Sequence, residues 1–232
     1  MRSSVLALGP LAATLILAST GCAFANVDVH PPDMATPPKL PRAADPAAGP
    51  GRGREIIVLS PFADERYEVA RCGMQKNGYD ADTADVKCTE PPGRWFADEL
   101  AVALTRAGFR PLRADAVPGP TTVVVRGSVR QLFLEPVGHF WTLTVEGDFA
   151  ANLVVTSPSG LRAERTFFVK GEKESMASTA GTFQAAADTA SYRLAREMVV
   201  ALTELLDRYP DLGSPTATAP ARTAQASPQV SP

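Results

Sequence analysis

The sequence predicts an α+β fold in which an antiparallel sheet meander carries two helices packed on one face. Three observations lead to this prediction. Apolar and polar residues alternate between positions 139 and 155, which is typical of a strand with one buried and one solvated face. Two other stretches, at 96–107 and 183–208, repeat apolar residues at helical spacing. Helices gathered on one side of an antiparallel sheet form one of the stable layered architectures.

The elements follow in the order strand, loop, helix, strands, helix. A short apolar run at 55–59 predicts a buried strand. Residues 62–93 show neither the helical nor the strand spacing of apolar residues and are expected to be a long loop. Gly108 is well placed to end the first helix, and Pro210 follows the second. The strands of the meander are expected at 123–134, 139–155 and 161–170, with a turn at 157–160 between the last two.

The chain opens with the pattern of a secretion signal. Met1-Arg2 precedes an apolar run at 5–18 that ends in small residues and Cys22. The run is shorter than the roughly 18–20 residues that span a bilayer, and Gly9-Pro10 interrupts it. A cysteine directly after small residues indicates a bacterial lipoprotein signal over 1–21, with Cys22 as the lipidated residue.

Two neighbours of the cysteine bear on where the protein goes. Ser19 stands where such signals usually carry Leu, so an ordinary signal peptide cut near 23–25 is the alternative. Ala23 replaces the Asp that often retains lipoproteins at the inner membrane. We therefore expect a palmitate-bearing lipoprotein of the outer membrane, with its domain facing the periplasm or the cell surface.

Composition divides the rest of the chain into three parts. Residues 22–54 are rich in Pro and Ala and are expected to form a semi-rigid tether, because such a segment cannot bury enough apolar area to offset its ordering entropy. Residues 213–232 are rich in Ala, Thr, Ser and Pro, which predicts a disordered tail. The remaining 55–212 have the length of one domain. The net charge of −2 argues against nucleic-acid binding.

The chain has three cysteines. With Cys22 lipidated, Cys72 and Cys88 remain as an even pair in an oxidising compartment, so a disulfide between them is expected. A metal site is the alternative, but neither cysteine has a nearby His or second Cys to complete a ligand set.

The candidate catalytic groups do not form a recognisable constellation. His30 falls in the predicted tether, and His139 falls at a hairpin end without a nucleophile or acid in its motif. The acidic residues lack the glycine and the closing Glu of a calcium loop and are expected to be solvated; they are Asp64, Glu65, Asp80, Asp82 and Asp85. We therefore expect a protein that is not an enzyme and has no cofactor or metal.

A binding role then remains, with the membrane reached through the lipid and an envelope protein as partner. Partner contacts are expected at the sheet edge, in the 62–93 loop, or at Phe140 and Trp141. Trp141 shares the inward face of its strand, so the alternative is that it closes the core.

Three stretches carry a resemblance to a known family. They are IIVLSPFADER at 56–66, WFADELAVALTRAGF at 95–109 and GEKESMASTAGTF at 171–183. In this order, behind a lipoprotein signal, they resemble the YajG-like lipoproteins of Gram-negative bacteria, which implies an envelope lipoprotein without transferable catalytic residues. The order of elements, with Trp95 opening the first helix, is also similar to auxiliary lipoproteins of ABC-type envelope transporters. That resemblance implies a subunit that assists lipid or solute transfer.

Overall fold

The structure is a computed structural model that describes residues 25–34, 50–77, 79–112, 115–138 and 142–213. The predicted signal peptide, Cys22, His139, Phe140, Trp141 and the tail from 214 onward lie outside these residues. The elements run in the order β1 (Val27–Val29), β2 (Glu55–Val58), β3 (Ala63–Asp64), β4 (Gly73–Lys76), β5 (Asp82–Cys88), α1 (Pro92–Arg106), β6 (Arg110–Leu112), β7 (Val123–Gly138), β8 (Leu143–Thr156), β9 (Arg162–Ser175) and α2 (Ala180–Arg208).

The nine strands of the described residues form one mixed sheet around β7. On one side β7 pairs antiparallel with β8, which pairs antiparallel with β9, so the meander prediction is confirmed for these three strands. On its other side β7 pairs in parallel with β2, β3 and β4 in turn. The prediction of a purely antiparallel sheet is therefore wrong. The physical reason is α1, which lies between these strands and β7 in the chain and supplies the crossover that parallel pairing needs.

The region predicted as a long loop, 62–93, is largely ordered into strands. It contains β3, the antiparallel hairpin of β4 and β5, and the start of α1. Periodicity missed these strands because β3 and β4 are only two and four residues long. The burial of β5 does not alternate cleanly either, so its seven residues carry a weak period-2 signal.

The predicted tether also contains part of the domain. Val27 and Val29 are buried, and β1 pairs in parallel with the end of β5. Residues 50–54 pack back onto the fold, where the Gly51 N–H donates to the Ala107 carbonyl over 2.8 Å. Three strand residues are too few to show a periodic pattern beside so many prolines, and their order depends on a distant partner strand.

Both helices lie on one face of the sheet, because they pack against each other and both contact β7. The Phe149 side chain of β8 packs against α1. Its ring centroid lies 5.6 Å from that of Phe96, in a stacked arrangement, and 6.1 Å from that of Trp95, in an edge-on arrangement. Gly171 lets α2 approach β9 closely, since a Cβ there would lie 2.2 Å from the Ala186 carbonyl oxygen.

The helix ends follow local signals. Pro92 occupies the first position of α1, where its missing N–H has no cost. Gly108, at φ 81°, follows the last turn as the sequence predicts. At the start of α2, the Thr179 hydroxyl accepts from the Thr182 N–H at 3.3 Å, which caps the helix.

Candidate interaction site

The structure contains the disulfide that the sequence predicts. Cys72 and Cys88 are bonded, with their Cα atoms 5.7 Å apart. Cys72 immediately precedes β4 and Cys88 ends β5, so the bond closes the open end of this hairpin. Cys72 is buried in the core, and β1 pairs with the β5 residues next to Cys88. The bond thus stabilises the part of the sheet where the N-terminal strand joins the fold.

The segment that leads from β3 to this disulfide is a short loop held from within by a buried arginine. We call residues 65–71 the Tyr67 loop. The Arg66 guanidinium binds the Asp64 carboxylate through two parallel hydrogen bonds of 2.8 and 2.9 Å. It also donates to the carbonyl oxygens of Val69 and Arg71, at 3.2 and 3.1 Å, and to the Cys72 sulfur at 3.5 Å.

These contacts use all five N–H donors of the guanidinium. Arg66 is only 7% exposed, so its hydrogen bonds are shielded from water. Two of its acceptors are loop carbonyls, which means that the arginine fixes the backbone of the Tyr67 loop directly.

The loop displays apolar side chains outward. Tyr67 is completely exposed, and Val69 is exposed over more than half of its surface. Large apolar side chains in such positions are candidates for contacts with another molecule. We call Tyr67 and Val69, two exposed side chains on the backbone that Arg66 holds, the apolar patch of the loop.

Arg71 joins the loop to the rest of the sheet. Its guanidinium pairs with Glu68 inside the loop and lies within 3.9 Å of Asp82 and 3.7 Å of Asp85 on β5. It also sits over the Phe133 ring, 5.9 Å from the centroid, where a cation–π attraction adds to the ion pairs. Two carboxylates that the sequence leaves as a solvated acidic cluster therefore surround an arginine.

The protonation of Asp64 follows from the same contacts. Partial burial acts to raise the pKa of this carboxyl, but the hydrogen bonds and positive charge of Arg66 outweigh it, so its pKa is lowered from the ordinary 3.8. Asp64 is thus ionised at neutral pH and balances the buried guanidinium.

A second polar feature lies between the two helices. Glu99 of α1 is only 5% exposed and accepts a hydrogen bond from the Trp95 indole N–H. Burial raises the pKa of Glu99 well above the ordinary 4.5; the Trp95 hydrogen bond opposes this shift, and the negative charge of Asp188 on α2 adds to it.

Glu99 also borders an open groove of about 440 Å³ between α1 and residues 31–34. Its lining includes the apolar residues Pro31, Pro32, Met34, Trp95 and Val102. The groove exists because the segment after β1 runs across the helices.

His30 is positioned by this segment, contrary to the sequence prediction. Its main-chain N–H and carbonyl both hydrogen-bond Gln184 of α2, and its Nδ1 lies 2.9 Å from the Thr89 hydroxyl. A short-range motif could not show this, because the partners lie 154 and 59 positions away along the chain.

The structure does not describe the other residues that the sequence singles out. Cys22, Phe140 and Trp141 lie outside the described residues, as does His139. Within the part of the chain that the structure covers, no group of three His, Cys, Asp or Glu side chains is placed to hold a metal ion. No helix in that part is both long enough and apolar enough to cross a bilayer.

The predicted contact region 62–93 includes Arg66 and Tyr67, but the sequence does not single out either residue. The run Asp64-Glu65-Arg66 looks like a solvated charged segment, because three consecutive charged residues give no indication that one of them is buried. The one available signal was Tyr67 itself, an aromatic residue in a polar stretch five positions before Cys72.

Among solved structures, the chain is similar to a protein of Xanthomonas campestris from the DUF330 family. The TM-score is 0.52 at 15% identity, over 78% of this chain and 98% of that chain. For a minor lipoprotein of Acinetobacter baumannii the TM-score is 0.35 at 10% identity, over 68% of this chain and 93% of that chain. For a lipoprotein of Neisseria meningitidis the TM-score is 0.30 at 13% identity, over 67% of this chain and 99% of that chain.

The likeness to the Xanthomonas protein shows a shared fold, and the two lower scores carry no argument about this chain. No family model matches the chain, and no curated protein matches it in sequence.

Proposed function

We propose that this protein is a non-enzymatic, lipid-anchored lipoprotein of the outer membrane that binds another envelope protein through the Tyr67 loop. One observation carries the binding role: Tyr67 is completely exposed on a loop whose backbone is fixed by the buried Arg66. The lipid anchor is supported by the apolar run that ends at Gly21-Cys22.

The geometry of the loop favours protein binding on energetic grounds. Binding orders side chains and loops at a cost of about 0.5–1.5 kcal/mol for each immobilised long side chain. A loop whose backbone already accepts two hydrogen bonds from a buried arginine avoids part of this cost. Tyr is among the residues that most often dominate binding energy when they fill a partner's pocket.

The charges around the patch suit a partner with mixed polar contacts. Glu65 pairs with Arg130 beside the loop, and Glu68 pairs with Arg71 within it. A rim of paired charges around an apolar centre resembles the anatomy of transient protein interfaces.

The proposal is tested by photo-cross-linking in cells. A photoreactive residue at Val69 should give a discrete protein adduct, and the same residue at Val117, an exposed position in the segment before β7, should not. Adding Tyr67→Ala to the Val69 probe should lower the adduct yield at least about tenfold, as expected for an anchor residue.

The outcomes separate the alternatives. An adduct at Val69 that survives Tyr67→Ala, or equal background at Val69 and Val117, would contradict binding through this loop. An adduct with the permease or the substrate-binding subunit of an ABC-type transporter would assign the binding role to an auxiliary transport subunit. The lipid anchor is tested separately, since a fatty-acid probe should label the wild type and not Cys22→Ala.

A further inference from the structure

We infer that one end of the sheet rests directly on the membrane that holds the lipid anchor. We call this the anchor end; it comprises the turn between β4 and β5 and the segment that follows β9. The inference rests on the proposed lipidation of Cys22. It concerns a lipid surface, and it is independent of the protein contact at the Tyr67 loop.

The first observation is how the N-terminal chain is fixed. The Ala25 carbonyl accepts from the Gln75 side chain over 2.6 Å, and the Asp85 N–H donates to the Asn26 side chain over 3.1 Å. From there β1 enters the sheet beside β5. The chain is thus attached to the fold from Ala25 onward, beside the β4–β5 hairpin.

The second observation is the short distance left for the anchor. Only three residue steps separate Cys22 from Ala25, and an extended chain covers about 10 Å over that length. Since β1 runs parallel to β5, Ala25 lies on the side of β1 that faces the start of β5. A lipid on Cys22 therefore holds Ala25, which contacts Gln75 of the β4–β5 hairpin, within about 10 Å of the bilayer surface.

The third observation is that the same end displays apolar side chains. Tyr79, in the β4–β5 turn, is 95% exposed, and Met176, directly after β9, is 90% exposed. Strand register places both at one level. Lys76, at the end of β4, pairs with Glu135 near the end of β7 at 2.8 Å. At the end of β7, Gly138 pairs with Leu143 of β8, and Leu143 pairs with Ser175 of β9. Met176 therefore lies at the same end of the sheet as the β4–β5 turn.

The Pro- and Ala-rich segment 35–49 is then not the spacer between lipid and domain. It follows Met34, which is buried, and precedes Gly51, whose N–H is bonded to the Ala107 carbonyl. Both of its ends are attached to the domain, so its length does not set the distance from the membrane.

The charges at the anchor end indicate which lipid surface it fits. Lys76 is paired with both Asp80 and Glu135, so the exposed Tyr79 lies among charges of both signs. Such a surface gains little from anionic lipid, whereas Tyr favours the boundary between headgroups and acyl chains. We expect contact with a zwitterionic bilayer that is insensitive to anionic lipid.

This orientation also sets the distance between the Tyr67 loop and the membrane surface. The loop begins beside Val129, whose carbonyl accepts from the Glu65 N–H, and β7 reaches the anchor end at Gly138. At roughly 3.3 Å per residue this part of β7 measures about 30 Å. The partner of the Tyr67 loop is therefore expected within about 30 Å of the membrane surface.

The test uses the full chain purified from membranes, with acylation of Cys22 measured by mass spectrometry. A fluorophore is attached to one introduced cysteine in each of Tyr79→Cys, Met176→Cys and Val117→Cys. The proteins are reconstituted into phosphatidylcholine vesicles that contain a lipid with a quencher on its headgroup. Quenching should be several-fold stronger at positions 79 and 176 than at 117, which lies before the opposite end of β7. Equal quenching at all three positions would overturn the inference.

Two insertion variants separate the anchor from the Pro-rich segment. A Gly/Ser linker of about 20 residues, with an average reach of about 25 Å, is placed either directly before Ala25 or within 35–49. The first insertion should lower quenching at position 79 several-fold, and the second should leave it unchanged. The opposite pattern would show that 35–49 is the spacer and would overturn the inference.

The same experiment distinguishes this inference from the proposed function. Absence of an acyl group on Cys22 would overturn both the lipid anchor and the membrane contact. Acylated protein with Tyr67-dependent cross-links but equal quenching at all three positions would overturn the membrane contact alone.

Discussion

Gln184 hydrogen-bonds both main-chain groups of His30. Its Oε1 accepts from the His30 N–H and its Nε2 donates to the His30 carbonyl, each over 2.9 Å. The pair joins residues 154 positions apart and holds the chain after β1 against α2. It adds to the attachment of the N-terminal segment through β1 and through the contacts of Ala25 and Asn26 with the β4–β5 hairpin.

Removing this pair should loosen the N-terminal strand. Gln184→Ala is expected to lower the free energy of unfolding by about 1–2 kcal/mol, since two hydrogen bonds to the backbone are lost. Amide hydrogen exchange at 27–30 should accelerate more than exchange in β8. Glu197→Ala, at an exposed position on the same helix, is the control and should change neither quantity appreciably. Unchanged exchange at 27–30 in Gln184→Ala would show that β1 is held without this contact.

Replacing Arg66 by Lys should release the Tyr67 loop. Lys keeps the charge but cannot reproduce the planar set of five donors, so carbonyl groups of Val69 and Arg71 lose their partner. The free energy of unfolding should fall by about 1–3 kcal/mol, and hydrogen exchange in residues 65–71 should rise. Arg130→Lys is the matched control: this arginine is exposed, and its pair with Glu65 should be worth less than about 1 kcal/mol. Equal effects of the two variants would contradict a special role for Arg66.

Glu99 should make stability depend on pH in a defined direction. Its pKa in the folded protein is raised above the ordinary 4.5, because burial disfavours the charged form, so the folded state holds this proton more tightly than the unfolded state does. The stabilising contribution of neutral Glu99 is complete below about pH 4.5 and is lost as pH rises through the folded-state pKa.

Glu99→Gln removes this titration and keeps an oxygen that can accept from Trp95. The variant should therefore gain stability relative to the wild type as pH rises above about 4.5, measured by denaturant unfolding across a pH series. Asp98→Asn, on the exposed side of the same helix, controls for a simple loss of negative charge. Parallel pH profiles for the wild type and Glu99→Gln would rule out the predicted linkage. Asp64 acts in the opposite sense, since its lowered pKa makes its contribution disappear as pH falls.

Loss of the Cys72–Cys88 disulfide should destabilise the domain. A bridge across 16 positions is worth about 3 kcal/mol in the chain-entropy model, so the double variant Cys72→Ser, Cys88→Ser should unfold at lower denaturant concentration by that amount. Reducing agent should affect the wild type and leave the double variant unchanged. Mass spectrometry without reduction should find the two peptides linked in the wild type, and thiols at both positions would refute the bond.

The helices and the β7–β9 meander could be read from the sequence because their signals are local and long. Apolar residues at helical spacing predict α2 over 183–208, and the structure has it over Ala180–Arg208. β9 extends to Ser175, five residues beyond the prediction. The reason is that its charged end pairs with β8 and one face of it remains solvated.

The other side of the sheet could not be read in the same way. β1, β3 and β4 are two to four residues long; β1 and β3 pair with strands distant in the chain, and β4 pairs mainly with its neighbour β5. A short apolar run also carries no information on strand direction, so β2 could be predicted as a strand but not as parallel to β7.

By itself, the sequence determined the helices, the meander, the pairing of two cysteines and the candidate lipid site at Cys22. Each of these follows from a period, a count or a motif within a short stretch of chain. The tertiary structure decided that Arg66 lies buried under an exposed Tyr67, and that the chain behind Cys22 enters the sheet at Val27. Both depend on contacts between residues that only the packed fold brings together. Burial shields the Arg66 guanidinium from water, so its hydrogen bonds fix the backbone of the loop around it.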